Sequence, residues 1–420
     1  MDALELAKDV EDYVIKLRRE LHEYPEVSMQ ETKTIQKVVR ELKKMNIDYE
    51  IIPNGGVIGK IEGDKEGKKI VLRADLDALP MEESPINLVK QKEVISRNPN
   101  AAHTCGHDGH IAMLLGAAKI LSENRELIKG TIILAFEQGE ETAEGIYHIL
   151  KALLKYKPDG IWGIHLKSDL KAGQMSVEPG PRMAASSLFN VRINGKGGHS
   201  SRPDLSNSPI NAFNDINLQL QLLQTRNLNP FKPITVSIGK VTSGNALNVI
   251  PDSLEFGGTI RYLDIEQGKQ MISEFKETLE YISENKGVEI EYIDEPHPIE
   301  LMVNNHEYYS EIAKNSIITA IGEENNVKHE PWMASEPFAF YQKYIPGVYA
   351  FLGIKNLELG SGAEHHNKHF DIDEKILKNG VATTVQYAID FLQTKSAKFT
   401  PEKRNVDKLF KDYKFQIYKG

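Results

Sequence analysis

The opening residues carry Leu4, Ala7, Val10, Val14, Leu17 and Leu21 at three- and four-residue spacing. That stripe predicts an amphipathic helix over residues 3–24, ended by Pro25. A second helix is expected over Glu31–Lys44. The pattern then changes to short unbroken apolar runs. Lys69–Ala74 and Gly130–Phe136 read as buried strands, and Ile161–His165 as a further short one. Helices are expected after the first two, over His110–Ser122 and Glu141–Lys155. Strands alternating with helices imply the α/β class, with a mostly parallel sheet covered on its faces.

From Met183 the order becomes strand 188–193, helix 208–223, strands 234–241 and 254–262, helix 267–285 and strand 288–292. This β-α-β-β-α-β order is that of a split βαβ, ferredoxin-like unit. Residues 183–295 are therefore expected to form an inserted α+β domain. Residues 1–182 and 296–420 form the discontinuous first domain, which resumes with helix 307–321, strand 348–353 and helix 374–394. A chain of 420 residues exceeds one ordinary core, in keeping with two domains. The polar, charged tail beyond Lys395 reads as a surface extension or a disordered segment.

Composition narrows the setting. The 40% hydrophobic and 26% charged shares are those of a soluble globular protein. A net charge of −9 argues against nucleic acid or an anionic membrane as the main partner. Asp2, Glu5 and Asp9 at the start leave no apolar stretch for a secretory signal, and no apolar run is long enough to span a bilayer. With a single cysteine, the expected location is cytoplasmic.

That cysteine, Cys105, lies in Cys105-Gly106-His107-Asp108-Gly109-His110. It has no partner for an intrachain disulfide, which leaves metal ligation or nucleophilic attack. Neighbouring imidazoles favour metal, because thiolate and neutral imidazole are preferred ligands of zinc-like ions. Glu140-Glu141, Gly163-Ile164-His165 and Glu364-His365-His366-Asn367 bring the donors to a number sufficient for two ions. Taken singly, an acidic pair at a helix start is usually solvated, and a lone histidine is more often a core residue than a ligand. Jointly they are more telling. Asp75 and Asp77 follow one predicted strand, Glu140 and Glu141 the next, and His165 closes the third, and ligands gather outside the carboxyl ends of such strands. A cysteine hydrolase built on Cys105 and His107 would leave the glutamate pair idle. The Gly195–Ser200 segment lacks the spacing of a phosphate loop.

Several longer motifs carry a resemblance. Leu17-Arg18-Arg19-Glu20-Leu21-His22-Glu23-Tyr24-Pro25-Glu26, Arg73-Ala74-Asp75-Leu76-Asp77-Ala78-Leu79-Pro80, Cys105 to His110, Gly195-Lys196-Gly197-Gly198-His199-Ser200-Ser201, and Asn248 to Asp252 followed by Gly258-Thr259-Ile260-Arg261 resemble the co-catalytic metallohydrolases. That family includes hippurate hydrolases, auxin–amino-acid conjugate hydrolases, aminoacylases and acetyldiaminopimelate deacetylases. The resemblance implies a metallohydrolase domain with a ferredoxin-like lid that dimerises. It further implies two divalent ions, zinc or manganese with cobalt or nickel as alternatives, on Cys105, His107, Glu141, His165 and His366. Cys105 would bridge the ions. The last ligand follows from counting four residues back from Phe370, with His365 the alternative.

The same resemblance makes Glu140 the general base and Asp77 and Asp108 the groups that orient ligand imidazoles. His199 would reach the neighbouring subunit's site to stabilise the oxyanion, while Asn248 and Arg261 hold a substrate carboxylate. The implied activity is hydrolysis of the amide bond of an N-acyl amino acid or short peptide, in a homodimer or higher homo-oligomer. A broad aminopeptidase or dipeptidase is the alternative, and a silent metal-dependent binding protein a lesser one. Glu137 departs from the Gln that such enzymes commonly have, adding a charge near the site.

Overall fold

The computed structural model describes residues 2–413. The N-terminal stripe forms two helices, α1 (Ala3–Asp9) and α2 (Glu11–Glu23), broken at Val10, with Asp2 capping α1 by accepting from the Leu4 and Glu5 N–H groups. Helix α3 (Thr32–Lys44) follows, then a β-hairpin of β1 (Asp48–Ile52) and β2 (Gly56–Glu62) that the apolar pattern did not announce. Next come β3 (Lys65–Asp75), α4 (His107–Glu123), β4 (Lys129–Glu137), α5 (Ile146–Leu154) and β5 (Gly160–Lys171).

The main sheet has seven strands in the order β1, β2, β4, β3, β5, Gly347–Lys355 and Met175–Ser176. Its four central strands run parallel, and the flanking pairings are antiparallel. Period-2 alternation explains the layers. Ile70 and Leu72 of β3 join Ile132 and Leu134 of β4 in a core with α2, α4 and the helix Leu377–Gln393. Val71 and Ile133 point to the other face, where α5 and Phe338–Tyr341 cover them. Both faces are thus dry, which is why these strands read as continuous apolar runs.

The expected helix over Glu141–Lys155 begins only at Ile146. Positive φ at Gly139 (+66°) and Ala143 (+54°) folds the preceding segment into a turn, closed by the Ala143 N–H on the Glu140 carbonyl at 2.8 Å. A Cβ at Gly139 would lie 2.6 Å from the Met29 sulfur, so the turn needs glycine there.

The middle of the chain builds a four-stranded antiparallel sheet, ordered Ile234–Ser243, Ser253–Tyr262, Ala185–Asn194 and Glu289–Glu300. Helices Pro209–Arg226 and Ile265–Lys286 pack on it around Phe189, Phe256, Ile216 and Phe275, a core separate from the other two. The tail expectation is corrected for the described part. Residues Val406–Asp412 form a helix that buries Leu409 and Phe410, the latter ring 4.7 Å from that of Phe340. Residues 414–420 of that tail lie outside the described residues. Among the described residues, no helix is long and apolar enough to cross a membrane.

Candidate metal centre

The end of the loop between β3 and α4, the turn after β4 and His165 of β5 line one cavity of 370 Å³. A larger groove of 1010 Å³ runs past His306 and Lys398, but the cysteine and the paired glutamates line the smaller one. Cys105 ends the loop before α4, and Gly106, at φ +93°, turns the chain so that His107 is the first helical residue. A Cβ at Gly106 would come within 3.0 Å of Leu166. Glu140 and Glu141 sit in the turn after β4, His165 lies on β5, and His366 is presented from a loop residue with φ +59°.

These side chains converge. The donors of Cys105, His107 and His165 lie within 4.8 Å of one another, and so do those of Cys105, Glu141 and His366. Two triads therefore share Cys105. Its sulfur is 3.6 Å from His165 Nε2, and His366 Nε2 is 3.3 Å from Glu141 Oε1. His107 Nε2 lies 3.7 Å from Glu140 and 3.8 Å from Glu141. His107 Nε2 and Glu141 Oε1 are buried with no hydrogen-bond partner. An ion between them would satisfy both, and the Cys/His/carboxylate donor set suits a divalent transition metal.

Hydrogen bonds aim the imidazoles. His107 Nδ1 donates to the Asp77 carbonyl at 2.9 Å and lies 3.3 Å from the Asp77 carboxylate, leaving Nε2 to face the cluster. Asp77 Oδ2 also accepts the Glu141 N–H at 2.9 Å and the Ser28 hydroxyl at 2.6 Å. His165 Nδ1 donates to the Leu166 carbonyl at 2.6 Å. Asp108 sits elsewhere than expected. Its carboxylate accepts from His22 Nδ1 at 2.8 Å, lies as an ion pair 2.8 Å from Arg18 Nε, and touches no ligand imidazole. Glu137 is likewise turned from the cavity, accepting from Arg73 Nε at 2.7 Å and the Tyr341 hydroxyl at 2.9 Å.

The electrostatics also call for cations. Burial, then Glu141 and Glu140, pushes the Cys105 thiol well up. Burial, then Glu336 and Glu141, pushes up the Glu140 carboxyl. Although burial opposes its charge, His107 is raised to about 10 by Asp75 and Asp77. Protons are held here where cations would otherwise balance the charge, so ion binding would release them.

A sequence model described as peptidase family M20/M25/M40 matches residues 71–390. The chain belongs to this family. An Arabidopsis thaliana protein described as IAA-amino acid hydrolase ILR1-like 4 is 34% identical over 411 residues, 97% of this chain and 92% of that protein. A Saccharolobus solfataricus protein described as thermostable carboxypeptidase 2 is 35% identical over 91% of this chain and 96% of its own. Among solved structures, a Bacillus subtilis protein described as a dinuclear metal binding peptidase from the M20 family matches with TM-score 0.79 and 31% identity, covering 92% of this chain and 99% of that one. As an M20/M25/M40 member, the protein is a hydrolase of the metallo-amidohydrolase and peptidase group.

Not every predicted residue enters the cavity of this M20/M25/M40 chain. Arg261 does, reaching from the Ser253–Tyr262 strand to donate to the Ser335 hydroxyl at 3.0 Å. His199 and Asn248 do not line it. Both are exposed, His199 on a two-stranded ribbon of Gly198–His199 and Val249–Ile250 and Asn248 in the turn just before it, and His199 Nδ1 meets the Ser201 hydroxyl at 2.8 Å. Sequence reading missed Trp332, Ser335 and Glu336, which form one wall. No local pattern singles out these residues, although the Trp332 ring lies 5.3 Å from that of His165.

His365 lines the cavity with its ring 4.7 Å from Trp332, but it joins neither triad. We therefore expect His366→Ala to lose one of two bound ions and His365→Ala to keep both. Metal counted per chain by elemental analysis checks this, and the opposite pattern would transfer the ligand role to His365.

Proposed function

We propose that this chain hydrolyses the amide bond of an N-acyl amino acid or short peptide, with Glu140 as general base. The observation that carries the proposal is the placement of Glu140: 8% exposed, in the cavity, with its carboxylate beside His107 and next in sequence to Glu141. Cys105, His107, Glu141, His165 and His366 would hold two divalent ions. When bound, such ions supply the Lewis acidity that activates a water near neutral pH and polarises an amide carbonyl.

The chain's own residues do the rest. Glu140 takes the proton from the attacking water on a carboxylate oxygen and returns it to the leaving nitrogen, which must be protonated to depart. Arg261 pairs through its planar guanidinium with the substrate's carboxylate. His199, exposed and outside its own cavity, donates to the developing oxyanion from the ribbon of a second copy, in a homodimer. The four-stranded unit that carries Arg261 and the ribbon serves as the lid, spanning 183–295.

Arg261 also favours substrates with a free carboxylate next to the scissile bond over aminopeptidase substrates. The names of the relatives, one an amino-acid conjugate hydrolase and one a carboxypeptidase, support that class. Arg261→Leu is expected to raise KM about tenfold or more for acidic-ended substrates, from loss of a charge-assisted hydrogen bond. Turnover of carboxamide-capped analogues should change little. A panel of N-acetyl and N-benzoyl amino acids, free dipeptides and their amides tests both statements. Preference for amide-capped or free-amine dipeptides would overturn the substrate class.

A further inference from the structure

Three imidazoles, His107, His110 and His165, crowd together at and behind the cavity wall, yet one of them is already fully bonded. The His110 ring is 5.4 Å from that of His107 and 4.9 Å from that of His165. By proximity its nitrogens group with Asp75 and His107 as potential donors to an ion. Its bonds exclude that role. His110 Nδ1 donates to Asp75 Oδ1 at 2.7 Å, and His110 Nε2 accepts the Leu166 N–H at 2.9 Å. Because Nε2 accepts from a backbone N–H, the ring's proton is on Nδ1 and no lone pair remains for a metal. Asp75 is held in turn by Arg73 Nη1 at 2.8 Å, and all three side chains are within about 1% of complete burial.

The backbone explains the need for this imidazole. β3 pairs with β5 only as far as Arg73 opposite Gly163. Beyond that point β3 offers the Leu166 N–H no partner, and a buried unpaired N–H is costly. His110 takes the place of the missing strand. The Leu166 carbonyl, on the same residue, accepts from His165 Nδ1. We infer that His110 is a positioning residue: through Leu166 it fixes the backbone that holds His165 with Nε2 directed at Cys105.

This rests on reading the cluster as a metal centre, and the test separates the two claims. Metal-stripped wild type, His110→Phe and His110→Gln are titrated with zinc, and with cobalt(II) followed by absorbance. Phe fills the ring's space but cannot accept from Leu166, whereas Gln offers an oxygen where Nε2 lies. His165 belongs to one triad only, so His110→Phe should bind one ion as wild type does and the other about ten- to a hundredfold more weakly, the usual cost of losing a group that orients a ligand. His110→Gln should recover most of that loss, and the sulfur-to-cobalt absorbance from Cys105 should persist in both. Unchanged affinity in His110→Phe, or equal weakening of both ions, overturns the inference. So does a cobalt spectrum in which His110→Phe has lost an imidazole from the retained ion. If His110→Phe does not fold, His110→Asn, too short to reach Leu166, replaces it in the same comparison with His110→Gln. If wild type itself takes up no ion, the metal-centre reading fails.

Discussion

Glu140→Ala should lower kcat about a thousandfold while leaving both ions bound, the middle of the range for removing a positioned general base. The reason lies in the division of labour between adjacent carboxylates. Glu141 is drawn into the Cys105 and His366 triad, and its N–H is pinned by Asp77. Glu140 faces the same cavity but belongs to neither triad built on Cys105. Kinetics on the N-acyl amino acid panel, with metal counted on the same samples, check the expectation. Glu140→Gln, which keeps the shape but cannot take a proton, should be equally impaired. A Glu140→Ala variant with near-normal turnover would remove Glu140 from the mechanism, and one that has lost its metal would make it a ligand.

Removing the cysteine should have the other large effect. Cys105 is the one residue common to both triads, so Cys105→Ala is expected to bind less than one ion per chain and to be inactive, whereas His165→Ala loses one. Stripping wild type with a chelator should also abolish turnover and lower the melting temperature. Ions present at about a thousand times their dissociation constants stabilise the fold by roughly 4 kcal/mol. Elemental analysis and thermal melts with and without added zinc provide the readout. A Cys105→Ala protein that is dead but still holds two ions would instead support a cysteine nucleophile.

The parallel core was legible because β3, β4 and β5 are buried on both faces and leave an apolar signature. The β1–β2 hairpin was not, since Asp48-Tyr49-Glu50 is mostly exposed and its pairing partner is the edge of β4. At the site, the side chains that cluster could be read from residue type and their position after strands. What those donors lean on could not. Asp108 looked like a partner for its neighbour His107, yet it is claimed by Arg18 and His22 from the buried face of α2. Glu137 looked like an added charge near the site, and which group it pairs with, Arg73, could not be read. Trp332 and Glu336 arrive on a segment with no motif, and only the folded chain brings them to His165 and Arg73. Pairings across such distances depend on tertiary geometry that local periodicity does not carry.

The pairing of β5 with Gly347–Lys355 has a consequence for how the protein is made. Ile161 lies opposite Gly347, with the whole four-stranded unit between them in the chain. That middle unit has its own core and is continuous in the chain, so it is the part suited to fold as a unit during synthesis. The metal loops are suited to close last, after the strand at 347 and the His366 loop have emerged. Until then one side of β5, apolar over Ile161–Ile164 and followed by His165, has no strand beside it, and a ribosome stalled inside the middle unit would leave that side open to neighbouring chains. For this protein, bringing the candidate metal ligands together and covering the open side of β5 are the same late event.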